Sequence, residues 1–155
     1  GINSIITRDP FQNMMDIITN YAKVFCAMIH TQLPSAKILL STLPLASQSG
    51  GIGSNYGSGG NSGMFNNIGW NHKVFEYNKA LLTLEVDTDV NSYVHIINSH
   101  SQFDADYGYP SSAVSVNTRQ SATIDIQTNA VHPNNGGYWQ LSDVLCFRSI
   151  LGLLA

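Results

Sequence analysis

The 155-residue chain contains 43% apolar and only 11% charged residues, and its formal net charge is −3. This length and composition are those of one globular domain, here residues 1–155. The shortage of basic residues argues against a nucleic-acid partner, since such partners are bound through basic patches. No apolar run approaches the roughly 18 residues that a membrane span needs, so no membrane partner is expected.

The polar composition gives a hint about location. Asn, Ser, Gly and Thr are abundant, and a surface rich in hydroxyl and amide groups favours a secreted, periplasmic or virion protein. Cys26 and Cys146 both fall in segments with apolar helical spacing, where an unpaired cysteine behaves as a small hydrophobe. A disulfide framework is therefore not expected. Because the chain opens with Gly1 instead of methionine, we expect it to be part of a longer polypeptide.

The first predicted element is a helix. Asp9-Pro10 is a helix-start signal, an N-cap acceptor followed by proline in the first turn. The helical pattern ends near Leu33-Pro34. Residues 36–43 are aliphatic without alternation, which predicts a strand buried on both faces of a parallel sheet. The apolar residues at helical spacing are Phe11, Met14, Met15, Ile18, Tyr21, Phe25, Met28 and Ile29.

A second helix and a second strand follow a long polar segment. Residues 44–69 are rich in Gly, Ser and Asn and predict a functional or mobile loop. Within it, we expect residues 46–63 to be mobile, because ordering them costs backbone entropy with little burial in return. Residues 71–86 predict a helix and residues 93–98 a buried strand, so the pattern is β-α-β with a parallel pair.

The last third of the chain is less regular. Residues 99–128 are spotted with aromatic side chains, and short strands are predicted near residues 113–116 and 123–126. Residues 136–154 have apolar residues on one side and predict a C-terminal helix that packs on the sheet.

Candidate chemistry concentrates just before that helix. In open parallel α/β sheets, ligands bind beyond the carboxyl ends of the strands, where the loops after Leu43 and Asn98 and residues 128–138 are expected to meet. Asn129 precedes His132 by three residues, so its amide oxygen is placed to accept from the imidazole Nδ1–H and leave Nε2 as a base. The alternative is a turn in which Asn129 and His132 only cap the following helix.

These residues resemble conserved blocks of the SGNH/GDSL-type hydrolases. The run Asn129-Ala-Val-His132-Pro-Asn-Asn-Gly-Gly-Tyr138 is similar to the family's last block, in which Asp-x-x-His-Pro opens the final helix. Gly1-Ile-Asn3-Ser4 is similar to its third block, Gly-x-Asn-Asp. The resemblance covers the whole chain and implies blocks III to V of a three-layer α/β/α, flavodoxin-like domain with a parallel sheet. It also implies that the N-terminal strand and the serine nucleophile lie upstream of Gly1.

The activity that the resemblance implies is acyl transfer from an ester, without a cofactor. An upstream serine attacks the carbonyl, His132 removes its proton, and Asn3 donates to the oxyanion. Two residues depart from the family pattern, since Asn129 stands where the family usually has Asp and Ser4 stands where Asp commonly follows the oxyanion Asn. An amide in the carboxylate's place weakens the active-enzyme interpretation, although a backbone carbonyl is an alternative partner for the histidine.

Other side chains are weaker candidates. His100 and Asp104 follow the second strand and are candidate substrate contacts, with a solvated loop as the alternative. Four aromatic residues are candidates for stacking on sugar rings, with burial in the core as the alternative: Trp70, Tyr107, Tyr109 and Trp139. Ser4 is a remote candidate nucleophile. His30, His72 and His95 lack metal-ligand spacing, so no metal is expected.

The sequence therefore predicts part of an SGNH-type esterase, acting on an acylated carbohydrate or another small ester. The rival interpretation is a glycan-binding or structural module without activity, for example in a phage tail fibre or cell-surface protein. An upstream segment of the same protein is expected to complete the sheet, and a homo-oligomer is left open. The sharpest expectation is that Asn3 and His132 converge on one pocket.

Overall fold

The computed structural model describes residues 13–46, 67–129 and 131–151. Helix α1 comprises Met15–Ile17, a π-helical segment Ile18–Lys23, and Val24–Gln32. It ends where the sequence predicts, because Leu33 precedes Pro34 and takes a non-helical conformation with φ −132° and ψ 73°. The Asp9-Pro10 start signal, the whole Gly1-Ile-Asn3-Ser4 match and the predicted 46–63 loop beyond Ala46 lie outside the described residues.

Two parallel strands follow. Strand β1 is Ile38–Ser41 and β2 is Val94–Ile97, with Ile38 opposite Val94 and Ser41 opposite Ile97. Between them in the chain lies helix α2, Asn67–Leu82, extended by a 3₁₀ turn at Thr83–Glu85. The predicted β-α-β pattern and its parallel pairing are confirmed, although α2 begins one turn earlier than the predicted residue 71.

The main core lies between this parallel pair and the helices α1 and α2. The buried apolar residues of α2 recur every three or four positions, so they line one face of the helix. They pack with Ile18 and Cys26 of α1 and with Ile38 and Val94 of the strands. The buried α2 residues are Trp70, Val74, Tyr77 and Leu81, followed by Leu84 in the 3₁₀ turn.

Two asparagines attach α2 to the segment that leaves β1. Asn78 accepts from the backbone N of Leu43 at 2.8 Å and donates to its carbonyl at 2.9 Å. Asn71, two turns earlier, makes the same pair of bonds with Ala46 at 2.8 and 2.6 Å. Each amide thus satisfies one backbone donor and one acceptor that no strand partner reaches.

The remaining elements form a second, antiparallel pair and a C-terminal helix. A 3₁₀ turn, Ser99–Gln102, follows β2, and strands β3, Ser111–Ser115, and β4, Thr123–Gln127, form an antiparallel hairpin at the two places where the sequence predicts short strands. Helix α3 is Asn135–Asp143 and continues as a π-helical segment, Val144–Ile150. The described chain is thus a mixed α/β structure with one parallel and one antiparallel pair. Within the described ranges, no helix has both the length and the apolar character that crossing a bilayer requires.

Two predicted apolar helix faces are wrong in part. Tyr21, Phe25 and Met28 are 60% to 67% exposed, although they continue the spacing of the buried Met14 and Ile18. Cys146 is also exposed, whereas Cys26 is buried, and both thiols are free. A π-helical segment lies within each of these helices, and i→i+5 hydrogen bonding widens the turn. Residues within and beyond such a segment, among them Tyr21, Cys146 and Phe25, therefore leave the face that a 3.6-residue period predicts.

Candidate functional site

Hydroxyl groups and one imidazole lie together where β1 and β2 end. Ser41 Oγ lies 2.7 Å from Ser99 Oγ. The buried Thr42 hydroxyl donates to the Ile97 carbonyl at 3.2 Å and accepts from the backbone N of His100 at 3.1 Å. His100 Nδ1 lies 3.4 Å from the same hydroxyl oxygen. The residue after β1 thereby fixes His100, a predicted substrate contact, in the segment after β2.

A cleft of about 460 Å³ lies between α2 and these two strand exits. Its walls are the apolar side chains of Leu45, Phe75, Leu82 and Val86. The polar residues of the lining are Asn78, Lys79, Thr83 and His100, and the Thr83 hydroxyl donates to the Ala80 carbonyl. The sequence predicts a ligand site where the segments after Leu43 and Asn98 meet, and Leu45 and His100 of these segments do line the cleft. The wall that α2 contributes was not predicted. His132 is not among the residues that line it.

His132 lies on a turn closed by the residue three positions before it. Asn129 Oδ1 accepts from the backbone N of Val131 at 3.0 Å and from that of His132 at 2.9 Å. Its oxygen therefore serves backbone groups, whereas the sequence interpretation gave it to the imidazole. The His132 side chain is exposed, and in the described part of the chain its ring has no hydrogen-bond partner.

Asn134 fixes this turn to the loop that follows β2. Its Nδ2 donates to the carbonyls of Tyr107 and Tyr109 at 2.8 and 3.0 Å, and its backbone N donates to the Gly108 carbonyl at 2.9 Å. Its Oδ1 accepts from the backbone N of Gly137 at 2.9 Å and so caps α3. Sequence reasoning missed this role, although an Asn directly before a helix, as in His-Pro-Asn, is an N-cap signal.

Gly137 permits the same contact from the helix side. A Cβ at this position would collide with the Gly108 carbonyl and would lie 2.9 Å from Cβ of Pro133. Only glycine allows α3 to start this close to the loop, which gives the Gly-Gly-Tyr138 part of the motif a steric reason. Gln140 adds a further bond, since its Oε1 accepts from the backbone N of Asp104 at 2.7 Å.

The four candidate stacking aromatics divide into two buried and two exposed. Trp70 is 1% exposed, so its indole belongs to the core, and no face of it is open to a sugar. Tyr109 is also buried, and burial raises the pKa of its phenol well above the ordinary range. Tyr107 and Trp139 are 79% and 72% exposed, and both are close in sequence to groups that hold the His132 turn.

Asp104, a predicted substrate contact, bonds to the backbone of its own loop. Its Oδ1 accepts from the backbone N of Asp106 and of Tyr107, which agrees with the alternative of a solvated loop residue. Asn3 and Ser4 lie outside the described residues, so the convergence of Asn3 and His132 on one pocket stays a prediction.

The histidines of the described ranges lie on different elements. No three His, Cys, Asp or Glu side chains of the described ranges are grouped closely enough to hold an ion. His30 stacks on Tyr93, with ring centroids 3.8 Å apart and planes parallel to within 1°.

Comparisons with protein-family models, with curated proteins and with solved structures found no match. The resemblance to the SGNH hydrolases therefore depends on the residues quoted from the sequence.

Proposed function

We propose that this chain is part of an SGNH-type, three-layer α/β/α ester hydrolase domain, acting on an acylated carbohydrate. The nucleophile is a serine supplied from upstream of Gly1. The observation that supports this proposal best is the position of His132. Its exposed ring stands on a turn that Asn134 bonds to the loop after β2, the side of a parallel pair where ligands bind.

In this mechanism, His132 is the general base and then the general acid. Its Nε2 takes the serine proton during attack on the ester carbonyl and returns it to the leaving alkoxide. Asn3 donates to the oxyanion of the tetrahedral intermediate. Because the Asn129 oxygen already accepts two backbone N–H groups, a backbone carbonyl is the proposed partner of His132 Nδ1.

The carbohydrate part of the proposal depends on Tyr107 and Trp139. Large aromatic side chains exposed above 70% expose apolar surface to water unless a ligand covers them. Sugar rings have apolar faces that stack on such rings. His100 is proposed as a further substrate contact, because Thr42 holds it where β2 ends.

Hydrolysis of an aryl acetate by the full natural protein tests the assignment. We expect His132→Ala to lower kcat/KM by about 10³-fold or more, and Asn129→Asp to preserve or raise it. Trp139→Ala, by contrast, leaves aryl acetate hydrolysis unchanged but raises KM for an O-acetylated oligosaccharide. Full activity in His132→Ala contradicts the proposal.

A second candidate function is glycan binding without hydrolysis. It is favoured by the use of the Asn129 oxygen in backbone bonds, because a histidine without a fixed partner is a poor base. On this alternative, the full protein binds the oligosaccharide, Trp139→Ala weakens binding, and neither aryl acetate nor the acetylated glycan is hydrolysed.

A further inference from the structure

We propose that the cleft between α2 and the two strand exits binds a small carboxylate with an apolar tail, of the medium-chain fatty-acid type. The cleft does not include His132 and shares only His100 with the proposed esterase site, so binding here can be tested without the esterase assignment. At about 460 Å³ the cleft has the size of a small-molecule site.

The walls select an apolar tail. Phe75 and Val86 are 58% and 78% exposed, and Leu82 is 37% exposed, yet they surround a concave space together with Leu45. Several large apolar side chains left open to water around one concavity mark a ligand site more often than scattered surface hydrophobes do.

Asn78 contributes to the same selection. It is 3% exposed, and its amide is already bonded at 2.8 and 2.9 Å to both backbone groups of Leu43. The Asn78 amide is therefore not available to a polar ligand group. A polar group placed against this part of the cleft would lose its bonds to water and gain none from Asn78.

Two of the polar lining residues, Lys79 and His100, favour an anionic head. Lys79 lines the cleft with a side chain that is 66% exposed, and its partner Glu76 lies 3.6 Å from its Nζ, outside the lining. His100 is the second group, held through Thr42. No acidic side chain lines the described part of the cleft, and the carboxylate paired with Lys79, that of Glu76, lies outside the lining.

Titration of the full natural protein with octanoate and, separately, octanol tests this site, with calorimetry as the readout. We expect octanoate to bind at submillimolar concentration and more tightly than octanol. Lys79→Gln is expected to weaken octanoate about twofold to fivefold, as for an exposed ion pair, and to leave octanol unchanged. Val86→Glu is expected to weaken octanoate at least about tenfold, because it places a carboxylate in the apolar wall.

Two matched variants control for surface charge and folding. Val116→Glu makes the same change at a 48% exposed valine beyond β3, and Lys37→Gln removes an ammonium that bonds the Ser92 carbonyl far from the cleft. Both are expected to bind octanoate as the unmodified protein does. The proposal is overturned if octanoate does not bind, if Val86→Glu and Val116→Glu bind it equally, or if Lys79→Gln weakens octanol as much as octanoate.

Discussion

The two tryptophans of the chain lie in regions that are stabilised in different ways. Trp70 is 1% exposed and packs in the core among α1, α2 and the parallel strands, where apolar burial provides most of the stabilisation. Trp139 is 72% exposed on α3, which is attached to the loop after β2 through Asn134, Gln140 and a close approach at Gly137.

The difference separates residues that support the fold from residues that shape the site. In the core formed by α1, α2, β1 and β2, a side chain contributes to stability through the volume that it fills. Around His132, a side chain matters through the backbone group that it bonds or the space that it leaves free. Binding and catalytic residues are commonly held on loops by a rigid scaffold, which is the arrangement expected if the proposed role of His132 is correct.

Truncation of the two tryptophans should separate the two regions most clearly. Trp70→Ala is expected to lower the free energy of unfolding by about 3–5 kcal/mol, because it leaves a large cavity in the core. Trp139→Ala is expected to change it by no more than about 0.5 kcal/mol, as for other exposed positions. Urea denaturation of both variants measures the difference. Equal losses would contradict the assignment of the two regions.

Two neighbouring glycines, Gly136 and Gly137, test how closely α3 approaches the loop after β2. Gly137→Ala is expected to cost about 1–3 kcal/mol, because the new methyl group meets the Gly108 carbonyl and the rigid ring of Pro133. Gly136→Ala is the control, since the nearest atom to its Cβ is the Asn134 side-chain oxygen at 3.3 Å. The gain in helix propensity is the same for both. Thermal unfolding measures both variants. If Gly137→Ala is no less stable than Gly136→Ala, the close approach of Gly137 to the Gly108 carbonyl is wrong.

The smallest expected effect concerns the ion pairs that tie α1 to the turn before β2. Lys23 Nζ lies 2.7 Å from carboxylate oxygens of both Asp87 and Asp89. The hydrogen bond from Lys23 lowers the pKa of Asp87 below its ordinary 3.8, and the bonds to Asp87 and Asp89 raise the pKa of Lys23 above 10.5. The stabilisation is therefore fully present at neutral pH, is lost in acid as Asp87 protonates, and is lost above pH 10.5 as Lys23 deprotonates.

Lys23→Gln removes both dependences. Its free energy of unfolding should fall less between neutral pH and pH 3 than that of the unmodified protein. At neutral pH, the difference in stability between the two proteins should shrink in high salt. Lys37→Gln is the matched control, because that ammonium bonds a carbonyl and no carboxylate. An acid limb that is unchanged in Lys23→Gln would show that these pairs contribute nothing measurable.

The β1-α2-β2 part of the fold was largely predictable from sequence, whereas the structure of the His132 turn was predictable only in part. Aliphatic runs and the spacing of Val74, Tyr77 and Leu81 identify β1, α2 and β2, because burial imposes those periods. The exposure of Phe25 and Cys146 was not predicted, since π-helical turns shift the phase of a helix without a sequence signal.

At the site, the sequence singled out the His132 turn and its Asn129 partner, but not what each polar atom bonds. An amide oxygen three residues before a histidine can serve the imidazole or the backbone, and both choices have the same spacing. The Asn134 contacts join segments about 25 residues apart in the chain, and spacing alone does not reveal such contacts.

The proposed role of His132 is to act as the base that activates a serine. Labelling of the full natural protein with a fluorophosphonate measures this directly, because the reagent forms a stable adduct with an activated serine. We expect one adduct per chain, a labelling rate about 10³-fold lower in His132→Ala, and an unchanged rate in His72→Ala, which alters a histidine of α2 outside the site. Labelling of His132→Ala at the unmodified rate, or no labelling of the unmodified protein, would contradict the claim.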